Sequence, residues 1–287
     1  MLPRKNCPCG LPTSFRDGIR FFEAGPVTPP DETYLLIHGL GNSLDFWLAV
    51  APSLSRTRRT IAVDVPGFGQ SRSVPGQFTL ANIACALLRL CDSMSIQNCI
   101  VIAHSMGAFV AMQLCALDPK RFRRLILIDG TLGRAAAIIQ SPLRAVAEPE
   151  LSCYILAQFV GGAVPLNRAS VKLLMGSRLL RQMALWPYVA RPGKIDIDLL
   201  ACALAFNGGI GVVKALGAAR RIDYVRLLRG VSCPVDLIWG AADRLIGPSD
   251  IDQARLELRV ERILQLHDCG HWPMIEQPDS LIRFLAS

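Results

Sequence analysis

The chain has 287 residues, a formal net charge of +8 and a hydrophobic fraction of 51%, which is enough for one large α/β domain with a sizeable core. No apolar run reaches the 18 residues of a membrane-spanning helix, and no apolar segment follows the N-terminal positive charges as a secretory signal requires. We therefore expect no transmembrane segment, a cytoplasmic location and, without a nucleic-acid-binding motif, no nucleic-acid partner.

The first 130 residues alternate strand-like and helical patterns. Residues Ser14 to Glu23 surround Asp17-Gly18 and predict an antiparallel hairpin. Apolar runs typical of inner strands of a parallel sheet are Tyr34–His38, Thr60–Val65, Cys99–Ala103 and Leu125–Ile128. Helical patterns cover Ser43–Ser55, Thr79–Ser93 and Ser105–Leu117. Repeated strand-helix units predict a mostly parallel sheet with helices on both faces.

The pattern changes after Asp129-Gly130, where residues 131–225 become helical, apolar and irregular. Strand patterns return at Pro234–Trp239 and Arg262–Leu266, and a last helix is predicted over Glu276–Ala286. The simplest organisation is a core formed by residues 1–130 and 226–287, interrupted by an inserted helical cap or lid at 131–225.

The predicted cap carries most of the net positive charge, with eleven Lys or Arg against five Asp or Glu. Such an excess attracts anionic substrates, acyl carriers or membrane surfaces. The charges are scattered among apolar residues, so a solvated face is the simpler interpretation. The oligomeric state is left open.

Cysteines are numerous but do not suggest a disulfide framework. Six of them lie in apolar periodic segments and are predicted to be core residues, which favours a reducing compartment: Cys85, Cys91, Cys99, Cys115, Cys153 and Cys202. The close pair Cys7 and Cys9 has no second pair at zinc-like spacing. We expect no metal and no cofactor.

Ser105 lies in the most informative segment, CIVIAHSMGAFVAM, which spans Cys99 to Met112. A buried strand, a turn of small residues and a helix are typical of a nucleophile elbow, in which a strained turn exposes a serine. The usual pattern is G-x-S-x-G, and here Ala103 and Gly107 occupy the two small positions. A serine that begins a helix as an N-cap is the alternative.

A serine nucleophile needs a histidine base, and the base needs an acid to orient it. Of the four histidines, His271 follows the last predicted strand at the sheet edge where open α/β sheets build their sites. We expect His104 to pack or bond locally and His267 to be structural. His38 ends an early strand.

Two aspartates follow predicted strands and are candidates for the acid. Asp243 lies in a loop just past the Pro234–Trp239 run, and the order Ser105, Asp243, His271 matches strand-end triads of this kind. Asp129 remains the fallback acid, and a turn former or helix N-cap is the alternative for either residue.

Two backbone amides are candidate donors for a developing oxyanion. Met106 follows the serine at the start of a helix, where the helix dipole assists. Leu40 lies between Gly39 and Gly41, which permit the backbone geometry that points its amide inward.

The chain resembles the serine-nucleophile branch of the α/β-hydrolase-fold superfamily over nearly its whole length. The matching motifs are LLIHGLGNS (Leu35 to Ser43), VDVPGFGQS (Val63 to Ser71), IAHSMGAFVA (Ile102 to Ala111), WGAADRLI (Trp239 to Ile246) and GHWPMIEQP (Gly270 to Pro278). The resemblance implies an eight-stranded, mostly parallel sheet with a helical cap, a triad of Ser105, His271 and Asp243, and an oxyanion hole at Leu40 and Met106. Haloalkane dehalogenases and epoxide hydrolases are disfavoured, because they have an aspartate where this chain has Ser105.

The predicted function is a serine hydrolase that cleaves a carboxylic ester, lactone or thioester through an acyl-enzyme on Ser105. The apolar cap, with Trp186 as a candidate substrate contact, predicts a small-molecule substrate with an apolar acyl or ring part. The positive charge of the cap adds an anionic or carrier-linked substrate as an alternative. Alternatives are a carbon–carbon bond hydrolase or cofactor-free lyase or cyclase with the same triad, and a non-catalytic ligand-binding protein of the same fold.

Overall fold

A computed structural model of the chain describes residues 11–26, 32–131 and 133–287. Its eight strands are β1 (Thr13–Arg16), β2 (Ile19–Ala24), β3 (Thr33–Ile37), β4 (Thr60–Val63), β5 (Cys99–His104), β6 (Phe122–Ile128), β7 (Val235–Gly240) and β8 (Val260–Leu266). They form one sheet in the order β1-β2-β4-β3-β5-β6-β7-β8. Only the pairs β1 with β2 and β2 with β4 are antiparallel among these described strands, so the predicted mostly parallel sheet is confirmed.

The α-helices follow the strands in regular alternation only outside the long insertion between β6 and β7. Helices of the flanking parts are α1 (Ala51–Leu54), α2 (Leu80–Ser93), α3 (Gly107–Leu117), α12 (Pro248–Glu257), α13 (Pro273–Glu276) and α14 (Pro278–Ala286). Helices of the insertion are α4 (Gly133–Gln140), α5 (Pro142–Ala147), α6 (Pro149–Ala163), α7 (Arg168–Gly176), α8 (Arg178–Leu185), α9 (Ile197–Ala203), α10 (Ile210–Ala219) and α11 (Tyr224–Arg229). Single 3₁₀ turns cover Leu44–Trp47 and Pro192–Lys194.

Both faces of the sheet are buried under other elements, and successive side chains of a strand point to opposite faces. In β3, Leu35 and Ile37 belong to one apolar core, whereas Tyr34 and Leu36 belong to the other. Helices α2 and α3 pack on the first face, and α14 covers the second. This two-sided burial explains the continuous apolar runs of the inner strands.

Two predicted helices are wrong in extent. The segment predicted as one helix over Ser43–Ser55 is a 3₁₀ turn followed by the short helix α1, because Pro52 lacks an N–H and fits only the first turn of a new helix. The last helix starts at Pro278 instead of Glu276 for the same reason, since a proline is tolerated at the first helical position.

The prediction that six cysteines are core residues is also wrong in part. Cys153 is exposed and Cys85 is partly exposed, whereas the other four are buried. Cys153 lies on the solvent side of α6, whose neighbouring Tyr154 and Ile155 face the core. Cys7 and Cys9 lie outside the described residues. No helix in the described ranges is long and apolar enough to cross a membrane.

Candidate active site

Ser105 lies in the turn between β5 and α3 with a left-handed backbone, φ 50°. Its N–H donates to the Ile128 carbonyl at 3.0 Å, which ties the turn to the neighbouring strand. A Cβ on Gly107 would lie 2.5 Å from the His38 carbonyl oxygen, so this position requires glycine. Ala103 is fully buried within β5, where the core accommodates its methyl group. The predicted elbow therefore has the strained geometry that exposes a side chain above the sheet.

His271 and Asp243 complete a chain of hydrogen bonds with Ser105. The Ser105 Oγ lies 2.8 Å from His271 Nε2, and His271 Nδ1 lies 2.7 Å from Asp243 Oδ2. The second Asp243 oxygen accepts the Leu245 N–H at 2.7 Å. Burial opposes ionisation of Asp243, but His271 and the donated hydrogen bonds outweigh it and lower the pKa of this carboxyl. This arrangement can hold a charged acid, an oriented imidazole and a polarised hydroxyl.

Asp129, the fallback acid, forms no hydrogen bond to the His271 ring among the described residues, and its Oδ2 is buried without a hydrogen-bond partner there. Its Oδ1 accepts the Gly240 N–H at 3.0 Å. Complete burial, and next the negative charge of Asp243, raise the pKa of Asp129 well above its usual range. When protonated, Asp129 can donate a hydrogen bond to the neighbouring Asp243 carboxylate, and such a bond lowers the pKa of Asp243. The pKa values of the two carboxyl groups are thus shifted in opposite directions.

No other described histidine is hydrogen-bonded to Ser105, so none is placed to act as its base. His104 Nε2–H donates to the His271 carbonyl at 2.7 Å, and burial lowers the pKa of His104 to about 3. His38 Nδ1–H donates to Gly39 and its Nε2 accepts the Val65 N–H, while burial lowers its pKa to about 4. His267 is exposed.

The two candidate oxyanion donors flank Ser105. In the described part of the chain, neither the Met106 nor the Leu40 N–H donates to another backbone group. The loop of Leu40 packs closely against α6. A Cβ on Gly41 would lie only 2.8 Å from the Gly162 carbonyl oxygen. Gly41 also has a φ of 70°, which favours glycine. Both amides are therefore available near the start of α3.

Two pockets meet at Ser105. The narrow pocket, of about 90 Å³, has an apolar lining formed by the insertion helices and by α2 and α3, and includes Met106. The wide pocket, of about 370 Å³, includes His271 and His104. Leu40, Ser105 and Gln158 line both pockets. Trp186 lines neither pocket and is 46% exposed.

Sequence reasoning missed two polar residues of the site. Glu276 accepts the N–H groups of Gly270 and Ala190, each at 2.8 Å, and so fixes the loop that carries His271. Gln158 comes from the irregular insertion, and its Nε2 is buried without a partner in the described residues. Glu276 lies within the motif GHWPMIEQP and could have been noticed there, but no spacing signal identifies Gln158.

His104, Asp129 and His271 are the only described residues whose donor atoms cluster as metal ligands do, within 4.8 Å of one another. His271 uses both ring nitrogens for Ser105 and Asp243, so of this set only His104 Nδ1 and Asp129 Oδ2 lack a hydrogen-bond partner in the described residues, which is fewer than the three or four ligands of a metal site. Metal binding requires free nitrogen lone pairs. The donor set therefore fits a network of hydrogen bonds better than a metal centre.

Comparisons with known proteins identify the family of the chain. Residues 34–284 match the model of a family described as the alpha/beta hydrolase family. A relative from Pseudomonas putida, the dihydrolipoyllysine-residue acetyltransferase component of the acetoin cleaving system, is 32% identical over 275 residues, which are 92% of this chain and 64% of the relative. This chain thus spans less than two thirds of that protein.

Solved structures resemble the whole chain. A thermophilic esterase from Thermogutta terrifontis has a TM-score of 0.66 at 22% identity and covers 96% of both chains. An enol-lactonase from Burkholderia xenovorans has a TM-score of 0.66 at 18% identity and covers 96% of this chain and 98% of its own. At these identities the likeness shows the fold alone.

Proposed function

Because this chain belongs to the alpha/beta hydrolase family, we propose that it is a serine hydrolase that cleaves a carboxylic ester, lactone or thioester through an acyl-enzyme. The observation that carries the proposal is the continuous chain of hydrogen bonds from Ser105 through His271 to Asp243. The substrate is a small molecule, and helices α4 to α11 act as the cap over its pocket.

In the proposed mechanism, His271 Nε2 takes the Ser105 proton as Oγ attacks the substrate carbonyl carbon. Asp243 stabilises the imidazolium that forms, and the Leu40 and Met106 amides bind the oxyanion of the tetrahedral intermediate. Collapse of the intermediate expels the leaving group, which takes the proton from His271. Water, activated by the same imidazole, then hydrolyses the acyl-enzyme.

The two pockets support an assignment of the two halves of the substrate. His271 must protonate the leaving group, and His271 lines the wide pocket but not the narrow one. The leaving group therefore belongs in the wide pocket, and the acyl group belongs in the narrow apolar pocket beside Met106. This arrangement favours substrates with an apolar acyl part.

Ser105→Ala tests the proposal on p-nitrophenyl esters of graded acyl length. We expect kcat/KM to fall by roughly three or more orders of magnitude, because the nucleophile is lost while the oxyanion donors remain. An organophosphonate should label Ser105 of the wild type and leave the variant unlabelled. Equal thermal unfolding of both proteins controls for folding, and unchanged hydrolysis by Ser105→Ala would refute the acyl-enzyme.

A further inference from the structure

Apolar side chains are turned outward on two helices of the insertion. Leu156 and Val160 lie four residues apart in α6 and Val164 directly follows this helix, and the three side chains are 63%, 59% and 49% exposed. In α8, Leu179 and Met183 are 69% and 66% exposed. Side chains four residues apart share one face of a helix, so each helix presents an apolar stripe. We call these five side chains the mouth surface.

The mouth surface is continuous with the wide pocket of the candidate active site. Val160, Val164 and Met183 are exposed and also line that pocket, which extends to Ser105 and His271. An apolar molecule can therefore pass from whatever covers the mouth surface to the catalytic serine along an apolar path. Contiguous exposed apolar surface of this kind marks an interaction site.

Positive charge lies on α7 and α8 and at the end of α8, next to one side of the mouth surface. Residues 168–186, which include α7 and α8, contain four Arg or Lys and no Asp or Glu. One of them, Lys172, pairs with Asp198 of α9 at 2.6 Å, and Arg178 is exposed on α8. At the end of α8 the half-exposed Trp186 ring lies 4.6 Å from the Arg244 guanidinium. An aromatic ring beside cations suits a boundary between an apolar phase and water.

The positive charge near the mouth surface indicates which partner can bind there. A second copy of this chain would bring Arg178 and Arg181 against the same cations, and like charges repel. An anionic lipid bilayer offers acyl chains to the apolar stripes and negative headgroups to the cations beside them. We propose that the mouth surface docks on an anionic lipid bilayer, which places the opening of the wide pocket against the lipid.

A corollary is that the enzyme takes a lipid-soluble ester directly from the bilayer. This corollary rests on the proposed function, whereas docking does not require hydrolysis. Docking is therefore measured on the Ser105→Ala variant, so that failure to bind vesicles and failure to hydrolyse esters are separate results.

Vesicle co-sedimentation of Ser105→Ala tests the docking. We expect binding to vesicles of phosphatidylcholine and phosphatidylglycerol in equal parts, and much weaker binding to pure phosphatidylcholine. Raising the salt concentration should weaken the binding by screening the charges. Equal binding to both vesicle types, or no binding to either, would overturn the proposal.

Paired variants test whether the mouth surface is the part of the protein that binds the vesicles. Leu156→Glu and Leu179→Glu alter exposed leucines that do not line the pocket, and each should weaken vesicle binding about tenfold. Arg178→Glu should weaken it at least fivefold, roughly the effect of one cation near a charged membrane. Matched controls on α12, Leu256→Glu and Arg255→Glu, alter an 87% exposed leucine and an exposed arginine outside the mouth surface, and they should bind as before.

Two further outcomes would contradict the proposal. If the α12 controls lose as much binding as the mouth variants, the attraction is a property of the net charge alone. If sedimentation equilibrium finds a dimer that Leu179→Glu dissociates while vesicles do not bind, the surface is an interface between two copies. Hydrolysis of a short water-soluble ester should be unchanged in Leu156→Glu and Leu179→Glu with Ser105 intact.

Discussion

At the scale of single residues, the environments of two aspartates separate their roles. Asp243 accepts hydrogen bonds from His271 and the Leu245 N–H, and its pKa is lowered despite burial. Asp129 is fully buried beside that carboxylate, so its pKa is raised. The negative charge of one buried carboxyl group opposes ionisation of its neighbour, so the two pKa values move apart. Asp129 is thus a positioning residue for Asp243.

Substitution of the two aspartates should have unequal effects. We expect Asp243→Asn to lower kcat by about 10⁴-fold, because the amide favours the wrong His271 tautomer. Asp129→Asn should retain activity within about tenfold, because an amide N–H₂ still donates to Asp243 and asparagine tolerates a left-handed backbone such as the φ of 45° found here. Steady-state kinetics measure both.

Asp129→Ala serves as the contrasting variant because it removes the donor. The acid limb of the kcat/KM profile should then move to higher pH, since the hydrogen bond from Asp129 lowers the pKa of Asp243. A loss in Asp129→Asn as large as that in Asp243→Asn would instead identify Asp129 as the acid of the triad.

At the scale of elements, close backbone contacts join the insertion to the sheet. A Cβ on Gly211 of α10 would lie 2.1 Å from the carbonyl oxygen of Gly67, in the loop after β4. A Cβ on Gly217 of the same helix would meet no atom within 4 Å. Gly211 lies in the first turn of α10 and Gly217 near its C-terminal end, and only Gly211 is required for packing.

Alanine at each glycine of α10 should therefore have opposite effects on stability. Gly211→Ala should lower the free energy of unfolding by about 1 to 3 kcal/mol, because α10 must move away from the Gly67 loop. Gly217→Ala should raise it by about 0.5 to 1 kcal/mol, because alanine reduces the entropy of the unfolded helix segment. Urea unfolding measures both, and equal effects would contradict the predicted close approach.

At the scale of the whole molecule, the insertion is bonded to the loop that carries the base. The His271 N–H donates to the Tyr188 carbonyl at 2.7 Å, and Glu276 links Gly270 to Ala190 of the insertion. A displacement of the insertion is therefore transmitted to His271. Burial raises the pKa of Glu276 from 4.5 to about 6, so this connection depends on pH.

Ionisation of Glu276 should lower the free energy of unfolding as the pH rises. Because its pKa is higher in the folded state, its contribution is complete below about pH 4.5 and is lost as the pH rises through about 6. Wild type should lose about 1 to 2 kcal/mol more than Glu276→Gln between pH 4.5 and 7. Denaturant unfolding at several pH values across this range measures the slope of the free energy of unfolding against pH. Glu257→Gln, on the surface of α12, should keep the wild-type slope, and an unchanged slope in Glu276→Gln would contradict the prediction.

The sequence predicted the strand order along the chain and the residues at the strand ends. Apolar runs identify inner strands because a parallel sheet is buried on both faces, and Ser105 is recognisable because an elbow demands small neighbours such as Gly107. Helix ends were less predictable where prolines interrupt an apolar pattern, as at Pro52 and Pro278.

By itself, then, the sequence determined the sheet, the helical insertion and the identity of the three residues that form the hydrogen-bonded chain, since these depend on local patterns and on chain order. Only the tertiary structure decided the separate roles of Asp129 and Asp243, the contact of Glu276 with Ala190, and the two pockets at Ser105. Protonation states and cavities depend on groups brought together from distant segments, and burial changes the energy of a charge only after the chain has folded around it.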